Sequence, residues 1–249
     1  MLKNKMKNDK IYGIFIKMLD HPAINLYAKQ AGIDFLFYDL EHGMLPYHKL
    51  HDLLLMGNRE GVASLVRVAQ LARADIAKAL DCGACGVMVP MVETKEQAEQ
   101  LVRFAKYPPL GKRSYAGGAN TQYRPSGNHL QNMEQANAEV LAIAQIETVE
   151  GIHNAKEILE VEGIDAVIIG PADLCISYGM PEAYDHPVIQ QQVKAVATLA
   201  KQYGKGFGMI GNMRLMKQYK DELSIFISAI DANIIRDGFQ KAKQELDDL

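Results

Sequence analysis

Hydrophobic and polar positions along the chain switch repeatedly between two periods. Short apolar runs occur at Ile11–Met18, Phe35–Leu40, Ala63–Val68, Gly86–Met91, Val140–Glu147, Ala166–Gly170, Gly206–Ile210 and Ile225–Ile230. Between them lie stretches with helical spacing of apolar residues: Pro22–Ala31, Tyr47–Gly57, Ala72–Asp81, Thr94–Lys106, Gly151–Glu160, Pro187–Tyr203 and Met213–Glu222, with a closing helix at Phe239–Asp248. Continuous apolar strands that alternate with helices predict a parallel sheet buried on both faces. Eight such strands close a barrel. The expectation is a (β/α)8 TIM barrel of the α/β class, a single domain over residues 1–249 with an extra C-terminal helix. Thr94-Lys-Glu-Gln97 has the form of a capping box at a helix start. Gly32, Gly83, Gly163 and Gly204 each fall just past a helix end, where glycine is favoured. A doubly wound open sheet would need a glycine-rich phosphate turn after its first strand, and Met18-Leu-Asp-His21 lacks one.

One stretch breaks the repeat. Pro108–Asn137 is long and rich in Gly, Ser, Asn and Gln, and its GKRSYAGGAN segment has the permissive glycines of an anion-contacting or closing loop. Composition adds mainly exclusions. The 249 residues are 48% hydrophobic and 23% charged with a formal net charge of −3, which gives no bias toward nucleic acid or an anionic membrane. The basic start MLKNKMKNDK is followed by no apolar segment of the secretory kind, and no apolar run is long enough to span a bilayer. Three cysteines, Cys82, Cys85 and Cys175, fit a reducing cytoplasm. Cys82 and Cys85 form a CxxC that closes a helix and opens a strand, the reverse of a redox motif, and are read as core cysteines.

In a barrel the C-terminal ends of the strands share one mouth, where active sites are built. The second strand ends Tyr38-Asp39-Leu40-Glu41-His42-Gly43, the third Leu65-Val66-Arg67-Val68, the fifth Gln145-Ile146-Glu147-Thr148, and the sixth Gly170-Pro171-Ala172-Asp173-Leu174. Each has a plainer use, such as a surface histidine or a helix-capping carboxylate. Together they put carboxylates, a histidine and an arginine at one mouth. Glu147 and Asp173 offer hard oxygen ligands suited to Mg²⁺ or Mn²⁺, with Co²⁺ also admitted, and leave positions for water and substrate. The competing use of the pair is an ion-pair network with Arg67. Arg67 itself has no obvious partner unless an anion or carboxylate is present.

At these residues the chain resembles the HpcH/HpaI family of class II, metal-dependent pyruvate aldolases. The matching segments, in family order, are YDLEHG, LVRV, VPMVE at Val89–Glu93, YPPLGKR at Tyr107–Arg113, AQIET at Ala144–Thr148 and VEGIDAVIIGPADL at Val161–Leu174. The resemblance implies that His42 accepts a proton through water, that Arg67 binds substrate and stabilises an enolate oxygen, and that Glu147 and Asp173 hold the metal. It implies that Gln145 touches pyruvate and that the Gly170-Pro171-Ala172-Asp173 turn binds substrate, Ala172 and Asp173 holding its carboxylate. It assigns to Asp81 the carboxylate that makes the histidine more basic. The predicted topology puts Asp81 at the opposite end of its own barrel, so it reaches His42 only across a subunit contact. Asp39 is the more local candidate for that part and for an alternative base. The family also implies a homohexamer, a trimer of dimers, often with the last helix packed on a neighbour.

Three departures bear on substrate choice: Leu40 stands where the family has glycine, Ser114 follows Arg113 in place of glycine, and Cys175 follows the GPADL segment in place of serine. The reading is therefore a cytoplasmic lyase that cleaves or forms 4-hydroxy-2-oxo acids, with pyruvate and an aldehyde as its small-molecule partners. The alternatives are a citrate-synthase-like or acyl-CoA lyase condensation on the same site, a Schiff-base aldolase using Lys17, and a barrel that binds without catalysis.

Overall fold

A computed structural model describes residues 2–125, 127–211 and 213–249. Its strands are β1 (Ile11–Ile16), β2 (Phe35–Asp39), β3 (Ala63–Arg67), β4 (Gly86–Val89), β5 (Leu141–Ile146), β6 (Ala166–Ile169), β7 (Gly206–Ile210) and β8 (Ile225–Ile230). They form a closed barrel in sequence order, with β8 returning to β1, and every pairing is parallel. Helices α1 (Leu2–Asn8), α2 (Ile24–Gln30), α3 (Tyr47–Glu60), α4 (Arg73–Asp81), α5 (Lys95–Ala105), α6 (His129–Glu139), α7 (Val149–His153), α8 (Ala155–Glu160), α9 (Pro171–Ser177), α10 (Pro187–Gln202), α11 (Met213–Gln218) and α12 (Asp231–Asp247) follow the chain. The eight strands of the sequence reading are all present.

Alternation along each strand sorts the side chains into two cores. Phe35, Phe37, Leu65, Met88, Leu141, Ile143, Ala166 and Ile168 belong to the cluster inside the barrel. Leu36, Tyr38, Val66, Val87, Ala142, Ala144, Val167 and Ile169 face the helices. Helix α3 shows why these elements stay put. Its Leu50, Leu53, Leu54 and Gly57 are buried at helical spacing. Each leucine stabilises the fold by roughly 1.5–3 kcal/mol through apolar burial. The capping box at Thr94 is formed with Gln97, and the four glycines past helix ends all have positive φ.

The structure departs from the sequence reading at its ends and in the long loop. Helix α1, not expected, seats Met6 in the interior cluster, and Lys3 pairs with Asp165 at 2.7 Å. The long stretch runs into α6 and lies between α5 and β5, which places it at the N-terminal end of the strands. GKRSYAGGAN is therefore no closing loop over this chain's own mouth. The final helix begins at Asp231, directly after β8, rather than at Phe239. It is the eighth helix of the repeat and not an addition to it. Beyond buried Asp231, its residues are exposed or half-buried, so it does not cover its own barrel.

Candidate active site

The inward parity of each strand carries on past the apolar layers to a polar residue at the mouth. After Phe35 and Phe37 comes Asp39; after Leu65, Arg67; after Leu141 and Ile143, Gln145 and Glu147; after Ala166 and Ile168, Gly170. Alternation alone thus delivers four strands' functional groups to one place.

Arg67 is buried and held from two sides. Asp39 accepts from its Nε and Nη2 at 2.8 Å each, a bidentate pair, and Glu41 lies 2.9 Å from Nη1. Phe15 lies beneath the guanidinium, 5.0 Å away. The carboxylates that Arg67 needs are thus supplied by β2 and the bend after it, and they are not Glu147 and Asp173. This arrangement corrects the part expected of Asp39. Its Oδ1 also accepts the backbone N–H groups of Glu41 and His42 at 3.1 and 3.3 Å, so it sets the strand-end bend and does not touch the imidazole. Glu41, which the sequence reading passed over, is the carboxylate that reaches the ring, with Oε2 3.9 Å from His42 Nε2. Its 2.9 Å contact with Arg67 lacks hydrogen-bond alignment, and Oε2 is buried without a donor. Burial raises the Glu41 carboxyl above its usual range, and Arg67 opposes this. A signal was available: Glu41 sits between two residues already singled out. His42 is 60% exposed at its side chain.

Glu147 is buried, accepts from the Met91 N–H at 3.0 Å, and takes a short hydrogen bond from Gln145 Nε2. Burial, with the Asp173 charge adding to it, pushes its carboxyl up to about 7. Gln145 Oε1 is buried with no partner. Asp173 stands exposed in the first turn of α9, which Pro171 opens. Arg67, Gln145, Gly170, Ala172 and Asp173 line one cavity of about 290 Å³. Lys17 is not part of that lining; its backbone N–H bonds Asp231. Asp81 lies at the C-terminal end of α4, at the far end of the barrel, paired with Arg113 at 2.9 Å. Within this chain the structure does not bring it to His42.

Gly170 is fixed by close approach. A Cβ there would stand 2.2 Å from Glu147 Oε2 and 2.9 Å from Gln145 Nε2. Gly170→Ala is therefore expected to displace Glu147 and lower turnover by about 10²-fold, the usual cost of a misplacement near 1 Å. Steady-state kinetics check this, and wild-type turnover would contradict it.

The residues fit a divalent cation. Asp173 lines the cavity with Gln145, whose amide oxygen has no partner, and the buried carboxylate of Glu147 lies next to Gln145 within reach of the Asp173 charge; all are hard oxygen donors. Among the described residues there is no cluster of three or more His, Cys, Asp or Glu side chains placed to hold a metal. The cysteines are unpaired and away from this lining; burial holds Cys85 up at about 12. Among the described residues no helix is long and apolar enough to cross a membrane.

Comparison with known proteins agrees with this geometry. The family model described as HpcH/HpaI aldolase/citrate lyase matches residues 12–220. A 2-keto-3-deoxy-L-rhamnonate aldolase of Salmonella schwarzengrund is 36% identical over 184 residues, covering 74% of this chain and 68% of that protein. The crystal structure of an HpcH/HpaI aldolase from Desulfitobacterium hafniense superposes with a TM-score of 0.94 at 29% identity, over 100% of this chain and 97% of the other. Citrate synthase SbnG superposes with a TM-score of 0.85 at 30% identity, over 99% and 98%.

Proposed function

The chain belongs to the HpcH/HpaI aldolase/citrate lyase family and is a carbon–carbon lyase; from that premise we propose that it is a class II pyruvate aldolase, cleaving or forming 4-hydroxy-2-oxo acids. The observation that carries this reading is the buried, doubly paired Arg67 sharing one cavity with Gln145 and Asp173, beside buried Glu147. Glu147 and Asp173 would hold Mg²⁺ or Mn²⁺, which when bound acts as a Lewis acid on a keto oxygen. The chain's own groups do the rest. Arg67, rigid in its carboxylate cradle, faces the keto oxygen as the C3–C4 bond breaks and the electron pair is delocalised onto that oxygen. Gln145, which lines the cavity, and the backbone N–H groups at Ala172 and Asp173 orient the pyruvate end. His42, in contact with solvent, takes the proton of the aldol hydroxyl through a water molecule.

The roles separate experimentally. His42→Ala should depress aldol cleavage by about 10²-fold or more while sparing deuterium exchange at the pyruvate methyl. Unchanged cleavage with an unchanged pH profile would remove His42 from the mechanism. The likeness to SbnG favours one other reading, a condensation of oxaloacetate with acetyl-CoA. Turnover with that pair and none with pyruvate would establish it.

Assembly completes the proposal. Ile235, Phe239, Ala242 and Leu246 form a stripe at helical spacing on α12, and Phe239 and Leu246 are 74% and 66% exposed. Between α2 and the start of α12 lies an apolar groove lined by Ile16, Ile24, Ala28 and Ile234. A neighbour's α12 would cover such surfaces, and a hexamer, a trimer of dimers, is the assembly we propose. Asp81, partly open beside Arg113, would then serve a neighbouring subunit's His42. Light scattering should give a multiple of 27.6 kDa. Co-expressed Asp81→Ala and His42→Ala chains should regain activity that neither has alone. A monomer contradicts the assembly, and failure of complementation contradicts the shared site. The unpaired cysteines support a cytoplasmic location.

A further inference from the structure

Asp231 is a buried carboxylate that the proposed mechanism does not use. It is the first residue of α12, directly after β8. Its partners are backbone N–H groups. Oδ2 accepts from Lys17 at 3.1 Å, Met18 at 2.9 Å and Leu19 at 2.8 Å. Oδ1 accepts from Lys17 at 3.1 Å and from Ala232 of its own helix at 2.8 Å. Successive N–H groups that converge in this way form a nest for an anion. Here the chain's own carboxylate fills it, so the turn that leaves β1 at the mouth is tied to the start of the last helix.

That turn backs the bend that carries His42. Ile16 registers with Tyr38, so the residues that follow, Lys17 and Asp39, leave the barrel side by side. The Lys17 carbonyl accepts the Met44 N–H at 3.4 Å. A Cβ on Gly43 would stand 3.1 Å from that carbonyl oxygen and 2.2 Å from the backbone oxygen of Asp39, so Gly43 is wedged between the two strand ends. From the β2 side, Asp39 Oδ1 accepts the N–H groups of Glu41 and His42. The bend is therefore gripped by Asp39 from β2 and by Lys17 from β1, and Lys17 is itself fixed by Asp231. With its side chain 60% exposed, His42 depends on this backbone for its place.

We propose that Asp231 is a positioning residue for His42: it holds the β1 turn against the bend and so sets the reach of the imidazole toward the aldol hydroxyl. The inference rests on the pyruvate-aldolase reading, in which His42 takes the proton of that hydroxyl. A misplacement near 1 Å costs about 10²-fold in rate, and a displacement passed on through two backbone contacts is expected to cost less, about tenfold.

The test uses the Mn²⁺-loaded protein and two readouts: cleavage of 4-hydroxy-2-oxopentanoate, and deuterium exchange at the pyruvate methyl. Asp231→Asn keeps the volume and one acceptor oxygen, and Asp231→Ala removes both oxygens. Asp231→Asn should lower kcat for cleavage by about tenfold, and Asp231→Ala by more. Exchange should fall much less, because it does not call on His42. In the His42→Ala background Asp231→Asn should cost less than about twofold further, since the two residues act through one step. Wild-type cleavage by Asp231→Asn overturns the proposal. So does an equal fall in cleavage and exchange, or a full further tenfold loss in the double variant, either of which marks a merely structural effect. Should Asp231→Ala fail to fold, Asp231→Asn and its double variant carry the test. Unaltered cleavage by His42→Ala overturns the assigned base, and no cleavage by the wild type overturns the aldolase reading; both outcomes are distinct from failure of the Asp231 link alone.

Discussion

Glu147→Gln and Asp173→Asn should each lower cleavage by roughly 10³-fold or more at saturating Mn²⁺, with the fold intact. Glu147→Gln keeps an oxygen for the Met91 N–H and nearly the same volume, so the barrel loses little. What it removes is the negative charge, and with it half of a two-carboxylate donor set. Asp173 is exposed and its side chain makes no hydrogen bond or ion pair among the described residues, so its substitution tests the site almost without a stability effect. Calorimetric titration with Mn²⁺ should show the wild-type isotherm lost in both variants, with melting temperatures close to wild type. Retained turnover together with an unaltered isotherm would remove the pair from metal binding.

Arg67→Ala should combine two effects. Loss of a preorganised donor to developing negative charge lowers kcat by roughly 10²–10³-fold. The same change strands Asp39, which is fully buried, and breaking a buried ion pair from one side costs about 3–5 kcal/mol. For a chain of this size that is a fall in melting temperature of roughly 6–20 °C. Arg67→Lys distinguishes the two. It restores a charge for Asp39 and so should recover much of the stability. It cannot reproduce the planar fork that meets Asp39 through two nitrogens and Glu41 through a third, so turnover should stay low. Recovery of both properties in Arg67→Lys would reduce Arg67 to a structural cation.

The barrel was legible because one physical rule repeats. Parallel strands buried on both faces are apolar throughout, and their inward residues become polar only at the mouth. Asp39, Arg67, Gln145 and Glu147 are therefore found by counting in twos from Phe35, Leu65 and Leu141. What that rule does not reach was missed or misplaced. Glu41 lies past the strand end, in a bend created by Asp39, where parity no longer applies. The partners of Arg67 follow from registry between β2 and β3, which pairs Asp39 with Arg67, and strand registry is not written in either strand alone. Helix α12 begins at Asp231 because that carboxylate accepts the N–H groups of Lys17, Met18 and Leu19, across the whole length of the chain. Local pattern marks only the later stripe around Phe239. The position of the long loop at the opposite end follows from its place between a helix and the next strand, although its glycines suggested a lid.

The most direct test of the central claim is proton exchange at the pyruvate methyl in D₂O, followed by NMR with the purified wild-type protein. The account predicts steady loss of the methyl proton signal in the presence of Mn²⁺, arrest after treatment with EDTA, and recovery when Mn²⁺ is restored. No exchange by the Mn²⁺-loaded protein, or equal exchange in EDTA, would contradict it.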